Sequence, residues 1–412
     1  CFLKEFLKLD EKENGRIPAM TFEQVSFSHP VTINYTSGTT GLPKAIVHGS
    51  GVLLTAANST LINFDCDRNS RWFFIMPMGT AAWLFHSVQH FLGETLVLYE
   101  GNPYFLSPTY FWDLLEKYKI SHHSIFQEQL MKLEKGISPK RIRKPSKIQP
   151  FGFFLTSERL CLVELESIIE PELSLSFTIT ELNQVSLLTE TSLPAYRGEI
   201  NAACLGTSIE VIDHKGNSLI GEVGDIALMK PLPSFFLGIW NDVDGSICRK
   251  KYFSKYSEIF ALGDCGIINP ITKGWIVCFR SDEALNPKGY RFGPSEIYSI
   301  VETFPEVWDS LCVSKYTKTL EEYAILFIKM KEGYSCNEEL TTKIRQAVEK
   351  LLSILCIPDL IIEVQDIPYN MTGKKMEILV KKIINSQPHD PIGIRNTECL
   401  QYYYDVPALR EL

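Results

Sequence analysis

At 412 residues, with 45% hydrophobic and 22% charged positions, the chain exceeds one ordinary core and predicts a soluble globular protein of two or three domains. Its 41 basic and 49 acidic side chains leave a net charge of −8, which excludes a general attraction to nucleic acid or to an anionic membrane, so any polyanion must meet a local site. Eleven cysteines without a C-x-x-C pair exclude a zinc knuckle and a disulfide framework and fit reduced thiols in the cytosol. No run approaches the roughly 18–20 apolar residues that span a bilayer.

The chain opens at Cys1 rather than Met, and a preceding N-terminal segment is expected. Strand patterns follow in 31-VTINY-35, 72-WFFIM-76 and 95-TLVLY-99, then a helical period in 110-YFWDLLEKY-118. The pair 122-HH-123 reads as a helix or loop surface feature rather than a metal site. The basic stretch 132-KLEKGISPKRIRKPSK-147 has two prolines and no interleaved aromatics, so it reads as a solvated loop or helix end. Further strands are expected at 208-SIEVI-212 and 275-WIVCF-279. From 280 the texture changes: 280-RSDEALNPKGYRFGPSE-296 is loop-like, with a domain boundary at Ser281 and Asp282. A strand and helix pattern then runs to about 386, including helical periodicity over 340–355, and an extended arm from 387 ends the chain. The alternation of strands and helices predicts an α/β fold.

The stretch 36-TSGTTGLPK-44 packs three Thr, one Ser, two Gly and one Lys into nine residues directly after a strand. Glycine tolerates positive φ and lets backbone N–H groups converge on an anion, hydroxyls add donors, and Lys44 adds a positive charge. Such a loop can cradle a phosphate. It lacks the G-K-[ST] of a Walker A loop, since Lys44 stands three residues after Gly41. A polar turn without a ligand satisfies the spacing equally well.

The full string, however, resembles the phosphate loop of the adenylate-forming enzymes, the superfamily of acyl-CoA synthetases, luciferases and peptide-synthetase adenylation domains. Other stretches match that superfamily in order: 180-TE-181, 263-GD-264, 280-RSD-282, Arg291 in 289-GYRFG-293, and 373-GK-374. The resemblance implies a large AMP-binding domain of mixed sheets and helices, incomplete here and ending near 281. A small mobile α+β domain over 282–386 and a C-terminal arm over 387–412 would follow. It implies ATP and AMP contacts at Thr36, Ser37, Gly38, Thr39, Thr40, Gly41, Lys44, Thr180, Asp264, Arg280 and Arg291. Glu181 would hold Mg²⁺, Asp282 would be the hinge, and Lys374 would bridge the substrate carboxylate and the α-phosphate. An acyl pocket would involve Gly79 and Trp83 of 79-GTAAW-83.

Within the superfamily, 192-SLPAYRGEI-200, 240-WNDVDGSICRKKYFSK-255, 285-LNPKGYRFGPSEIY-298 and 367-IPYNMTGKK-375 resemble the acetoacetyl-CoA synthetases. That likeness implies a ligase joining acetoacetate, or a similar small carboxylate, to coenzyme A at the expense of ATP. Departures occur around the implied site. Thr178, Ile179, Ser157 and Phe279 stand where the family has glycines, and Thr80 where it has a tryptophan. Two alternatives stay open: a non-catalytic relative that keeps the fold and weak nucleotide binding, and a superfamily ligase for another carboxylate.

Overall fold

A computed structural model of the chain describes residues 21–36, 44–75, 81–101, 110–126, 152–156, 173–190, 192–196, 198–256, 258–287, 290–317, 321–371 and 373–410. From the N-terminus the described chain forms β1 (Pro30–Tyr35), β2 (Ala45–Gly49), α1 (Gly51–Ala57), β3 (Arg71–Phe74), α2 (Ala81–Ser87) and β4 (Thr95–Leu98). It continues as α3 (Tyr110–Lys117), β5 (His122–Phe126), β6 (Gly152–Thr156), β7 (Leu173–Ile179), β8 (Gln184–Leu188), β9 (Ala202–Ala203), β10 (Ile209–Ile212) and β11 (Gly224–Leu228). Next come β12 (Gly238–Ile239), α4 (Ser246–Tyr252), β13 (Phe260–Ile268) and β14 (Trp275–Arg280). The chain ends with α5 (Pro294–Val301), β15 (Val307–Tyr316), β16 (Glu322–Met330), α6 (Glu338–Leu351), β17 (Leu360–Glu363) and α7 (Glu377–Ile384).

Seven strands form one sheet in the order β4-β3-β5-β6-β7-β8-β9, parallel as far as β7 and antiparallel beyond it. Parallel strands carry cover on both faces, so adjacent residues are buried together. In β3, Phe73 meets Phe111 of α3, while Trp72 meets His86 of α2 and stacks on His122. This corrects the surface reading of 122-HH-123: both histidines lie in β5, and His123 is fully buried against the Phe73 carbonyl at 2.9 Å. The hairpin β1–β2 takes β12 as a third strand, and β10-β11-β13-β14 make a separate antiparallel sheet.

Most of the first core joins these layers through Ile46, Phe73, Phe111, Ile226, Phe260 and Trp275. A second body surrounds the sheet β15-β16-β17, whose period-2 alternation divides its side chains between two faces. Leu311, Ile325 and Phe327 face α7 and the C-terminal arm, whereas Cys312, Leu326 and Ile328 face α5 and α6. Leu340, Ile344 and Val348 form the buried stripe of α6. That helix begins at Glu338, two residues before the expected start, because the Asn337 side chain accepts a hydrogen bond from Leu340 N at 2.9 Å. Likewise α5 starts inside the stretch read as loop, with Pro294 supplying the preset φ of a first helical turn.

The arm is turn-rich rather than extended. Short helical turns at Thr397–Tyr402 and Pro407–Leu409 seat Cys399, Leu400, Tyr403 and Leu409 in the second body's core. Among the described residues all cysteines are free, and no helix is long and apolar enough to cross a membrane.

Candidate active site

The hairpin β1–β2 closes the hydroxyl-rich loop at its neck. Thr36 N donates to the Lys44 carbonyl at 3.0 Å, and Lys44 N donates back to Thr36 Oγ1 at 3.0 Å. Ser37, Gly38, Thr39, Thr40 and Gly41 lie outside the described residues, as do Gly79, Thr80 and Ser157. Trp83 is half-buried in α2. Burial, then the neighbouring Lys251 cation, push the Lys44 ammonium down to about 8, against the pull of Glu181 and Asp282. Lys44 and Lys251 therefore crowd one another at the neck, with Glu181 and Asp282 offsetting them, and an added polyanion would relieve that crowding.

Glu181 is carried by the tight turn between β7 and β8, where Asn183 adopts a positive φ of 46°. Two anchors hold this turn. Tyr252 of α4 donates its hydroxyl to Glu181 Oε1 at 2.5 Å, and fully buried His48 of β2 places Nε2 3.0 Å from the Thr180 carbonyl. The other ring nitrogen of His48, Nδ1, lies 3.3 Å from the Ser234 carbonyl. A neutral imidazole has a single N–H, so it satisfies one carbonyl, and the closer contact is to Thr180. Burial lowers the His48 pKa, opposed by the Ser234 and Thr180 carbonyls and by the charge of Glu181. A bulge at Phe177 and Thr178 precedes the turn. Thr178 is exposed, and Ile179 rests against the first core.

The strand register of β13 and β14 sets Asp264 directly opposite Arg280. Their charges stand 3.9 Å apart, and Arg280 also reaches Asp282 at 3.1 Å and Glu283 at 4.0 Å. Burial disfavours the Arg280 cation, but Asp264, Asp282 and Glu283 outweigh it and hold the proton more firmly than usual. Gly263, at φ +89°, belongs to this packing, since a Cβ there would come within 3.3 Å of the guanidinium. Arg291 places Nη1 3.7 Å from buried Asp225 and donates from Nη2 to the Ser281 carbonyl at 3.5 Å.

Lys374 is half-buried in a turn whose backbone is bracketed by Asn370: Lys374 N donates to Asn370 Oδ1 at 2.9 Å, and Asn370 N donates to the Lys374 carbonyl at 2.9 Å. The next residue, Lys375, is committed elsewhere. Its ammonium pairs with Glu302 at 2.5 Å and Asp309 at 2.7 Å and sits 4.0 Å above the Tyr298 ring. The fold thus gathers Lys44, Glu181 and Asp282 into one electrostatic neighbourhood and links Asp282 through Arg280 to Asp264. Lys374 is not among the principal charges acting on Lys44. His48, Lys251, Tyr252 and Asp225 joined the site without being singled out in the sequence. Of these, Lys251 alone had a local signal, the cation run 249-RKK-251 in an acidic chain.

A carboxylate that can share a hard cation with phosphate oxygens matches the usual way Mg²⁺ is held by nucleotide enzymes. Glu181, an oxygen donor fixed by Tyr252, fits that demand.

Acetoacetyl-CoA synthetases of Gallus gallus and Macaca fascicularis are 35% and 36% identical to the chain, covering 99% of it and 62% of their own lengths. The chain thus spans less than two thirds of these relatives. The solved acetoacetyl-CoA synthetase from Streptomyces lividans is similar with a TM-score of 0.83 at 28% identity, covering 96% of this chain and 62% of that one. An O-succinylbenzoate coenzyme A synthetase from Bacillus subtilis, in complex with ATP and magnesium ion, shares the fold with a TM-score of 0.70 at 19% identity, covering 87% of this chain and 72% of that one. Residues 3–240 match the family model described as AMP-binding enzyme. With more than half of its length inside that match, the chain belongs to the AMP-binding enzyme family.

Proposed function

We propose that the chain is an acid–thiol ligase of the acetoacetyl-CoA synthetase type, acting in the cytosol on ATP, coenzyme A and acetoacetate or a similar small carboxylate. The observation that carries this reading is that Tyr252 fixes Glu181 at 2.5 Å while the register of β13 and β14 sets Asp264 opposite Arg280. Similarity to acetoacetyl-CoA synthetases over nearly the whole chain supports the substrate class.

In the first step a carboxylate oxygen attacks the α-phosphorus of ATP. The bond to pyrophosphate breaks, and an acyl-adenylate forms. In the second, the thiol sulfur attacks the acyl carbon, AMP departs with the bonding pair, and the thiol proton passes to solvent. Such displacements offer the protein little covalent work, so it contributes positioning and neutralisation of developing charge. Lys44 and Arg291 meet phosphate charge, Asp264 accepts the ribose hydroxyls, and Thr180 and Trp83 shape the adenine and acyl sides. Glu181 would hold Mg²⁺, which when bound would help neutralise charge on the phosphates. Residues 1–281 belong to the nucleotide-binding domain, and between the two steps residues 282–386 rotate about Asp282, swinging Lys374 away and bringing another face to the thiol.

The test is acetoacetate-dependent exchange of labelled pyrophosphate into ATP by residues 1–412. Exchange that disappears in Lys374→Ala is expected. Nucleotide binding without exchange would overturn ligation and fit a non-catalytic relative instead.

A further inference from the structure

The segment between the two bodies carries Arg280, Asp282, Glu283 and Arg291, which pair with one another and with Asp225 and Asp264, and it joins regions that otherwise touch little among the described residues. No helix or strand of the first body packs broadly on one of the second among the described residues. On the first-body side of this seam Asp225 of β11, itself 3% exposed, is held by four groups besides Arg291, which alone reaches it from the second body. Tyr256 donates its hydroxyl at 2.6 Å, Ser281 Oγ donates at 3.1 Å, the Cys265 thiol lies at 3.5 Å, and the Lys255 ammonium forms an ion pair. Burial opposes the Asp225 charge, but Lys255, Tyr256 and Arg291 overcome it and keep the carboxyl below its ordinary range.

Phe279 completes the contact from the last turn of β14. Its ring lies 5.9 Å beneath the Arg291 guanidinium, and its Cβ crowds Gly293 so closely that a Cβ added at Gly293 would stand 2.5 Å away. Gly293 caps the N-terminus of α5, so this aromatic wedge bears directly on the first element of the second body. A glycine at 279 would leave that space empty.

We propose that Asp225 and Phe279 are positioning residues for Arg291, clasping the second body to the first through it. This assignment rests on the nucleotide-binding reading given above for its ligand. Arg291 is one-third exposed and so remains reachable by an anion, yet its charge is already engaged. A nucleotide phosphate that takes Arg291 must displace Asp225, and displacement loosens the seam. Binding and seam opening are then reciprocally coupled. An anion loosens the clasp, and a weakened clasp welcomes the anion.

Hydrogen–deuterium exchange and calorimetry on the full chain test both halves. In the absence of ligand, the isosteric Asp225→Asn and the wedge-removing Phe279→Gly should each accelerate amide exchange across 281–293, where Leu285 and Phe292 pair their backbones at 2.9 and 3.0 Å. Thermal melting checks that each variant is folded. MgATP should bind Asp225→Asn about 5-fold or more tighter than the parent, a gain that vanishes when Arg291→Gln is added. A merely structural Asp225 would loosen the seam without tightening MgATP binding. Unchanged exchange at 281–293 in both folded variants overturns the clasp, as does a gain in affinity that survives Arg291→Gln. Failure of every form to bind MgATP would instead overturn the nucleotide reading, while the exchange measurement still decides the clasp.

Discussion

The neck of the 36–44 loop and the seam at 280–291 are opposite solutions to one electrostatic problem. At the neck, Lys44 and Lys251 crowd one another and are offset by Glu181 and Asp282. At the seam, Arg280 and Arg291 are met by Asp264, Asp282, Glu283 and Asp225. The neck sets two like charges side by side, whereas at the seam each arginine meets a carboxylate. An arriving polyanion therefore completes the first site but competes within the second. Stability resides in the seam's pairs, whereas affinity resides in the neck's crowded lysines.

Breaking the seam should have the largest effect on folding. Arg280→Met removes the cation facing Asp264, whose side chain is 6% exposed, and leaves that carboxylate buried beside two others. Stripping one partner from a buried pair typically costs about 3–5 kcal/mol, so urea denaturation should show a loss of that order. A loss below about 1 kcal/mol would place the pair among surface ion pairs of little weight and erase the contrast with the neck.

A smaller effect is expected from the anchor beneath Glu181. His48→Leu leaves the Thr180 and Ser234 carbonyls facing an apolar side chain, costing about 1–3 kcal/mol. His48→Gln keeps an N–H that can reach Thr180 and should recover part of the loss. The sharper readout is the magnesium concentration that half-saturates nucleotide binding, which should rise in the leucine variant and return toward the parent in the glutamine variant. Equal magnesium dependence in all three proteins would reduce His48 to packing.

Much of this contrast was legible in the sequence, because local chemistry encodes it. The hydroxyls and Lys44 follow a strand pattern, and 280-RSD-282 closes the run read as a strand at 275–279, whose antiparallel pairing with β13 brings Arg280 to Asp264. The stripe of Leu340, Ile344 and Val348 likewise announced α6. What escaped is long-range or ambiguous by composition. His48 acts on carbonyls 132 and 186 positions away, and Asp225 gathers partners from four later segments, so no local window contains either relation. Two adjacent histidines look like surface polarity, but in a strand covered on both faces each found its own partner, half-buried His122 stacked on Trp72 and buried His123 against the Phe73 carbonyl. Phe279 read as a lost glycine, and the structure gives it a partner in Gly293.

The neck supplies the smallest and most diagnostic change. Lys44→Ala should lower MgATP affinity about tenfold, the scale of one charge-assisted hydrogen bond, while leaving stability without nucleotide nearly unchanged, because Lys251 loses a like-charged neighbour. The pH dependence separates the two effects. Lys44 loses its proton near pH 8 in the folded chain but near its ordinary value of 10.5 when unfolded, so between these limits the unfolded chain binds more protons. Stability must then gain a rising contribution from this group as pH climbs from about 8 toward 10.5. Nucleotide affinity moves the other way over the same interval, since the cation that meets phosphate is being discharged. Lys44→Met should flatten both trends. Melting and calorimetric titrations between pH 7 and 10, on the order of the window set by this linkage, decide the matter. Opposed slopes that vanish together in the variant assign both to Lys44, whereas slopes that persist would move them to Lys251.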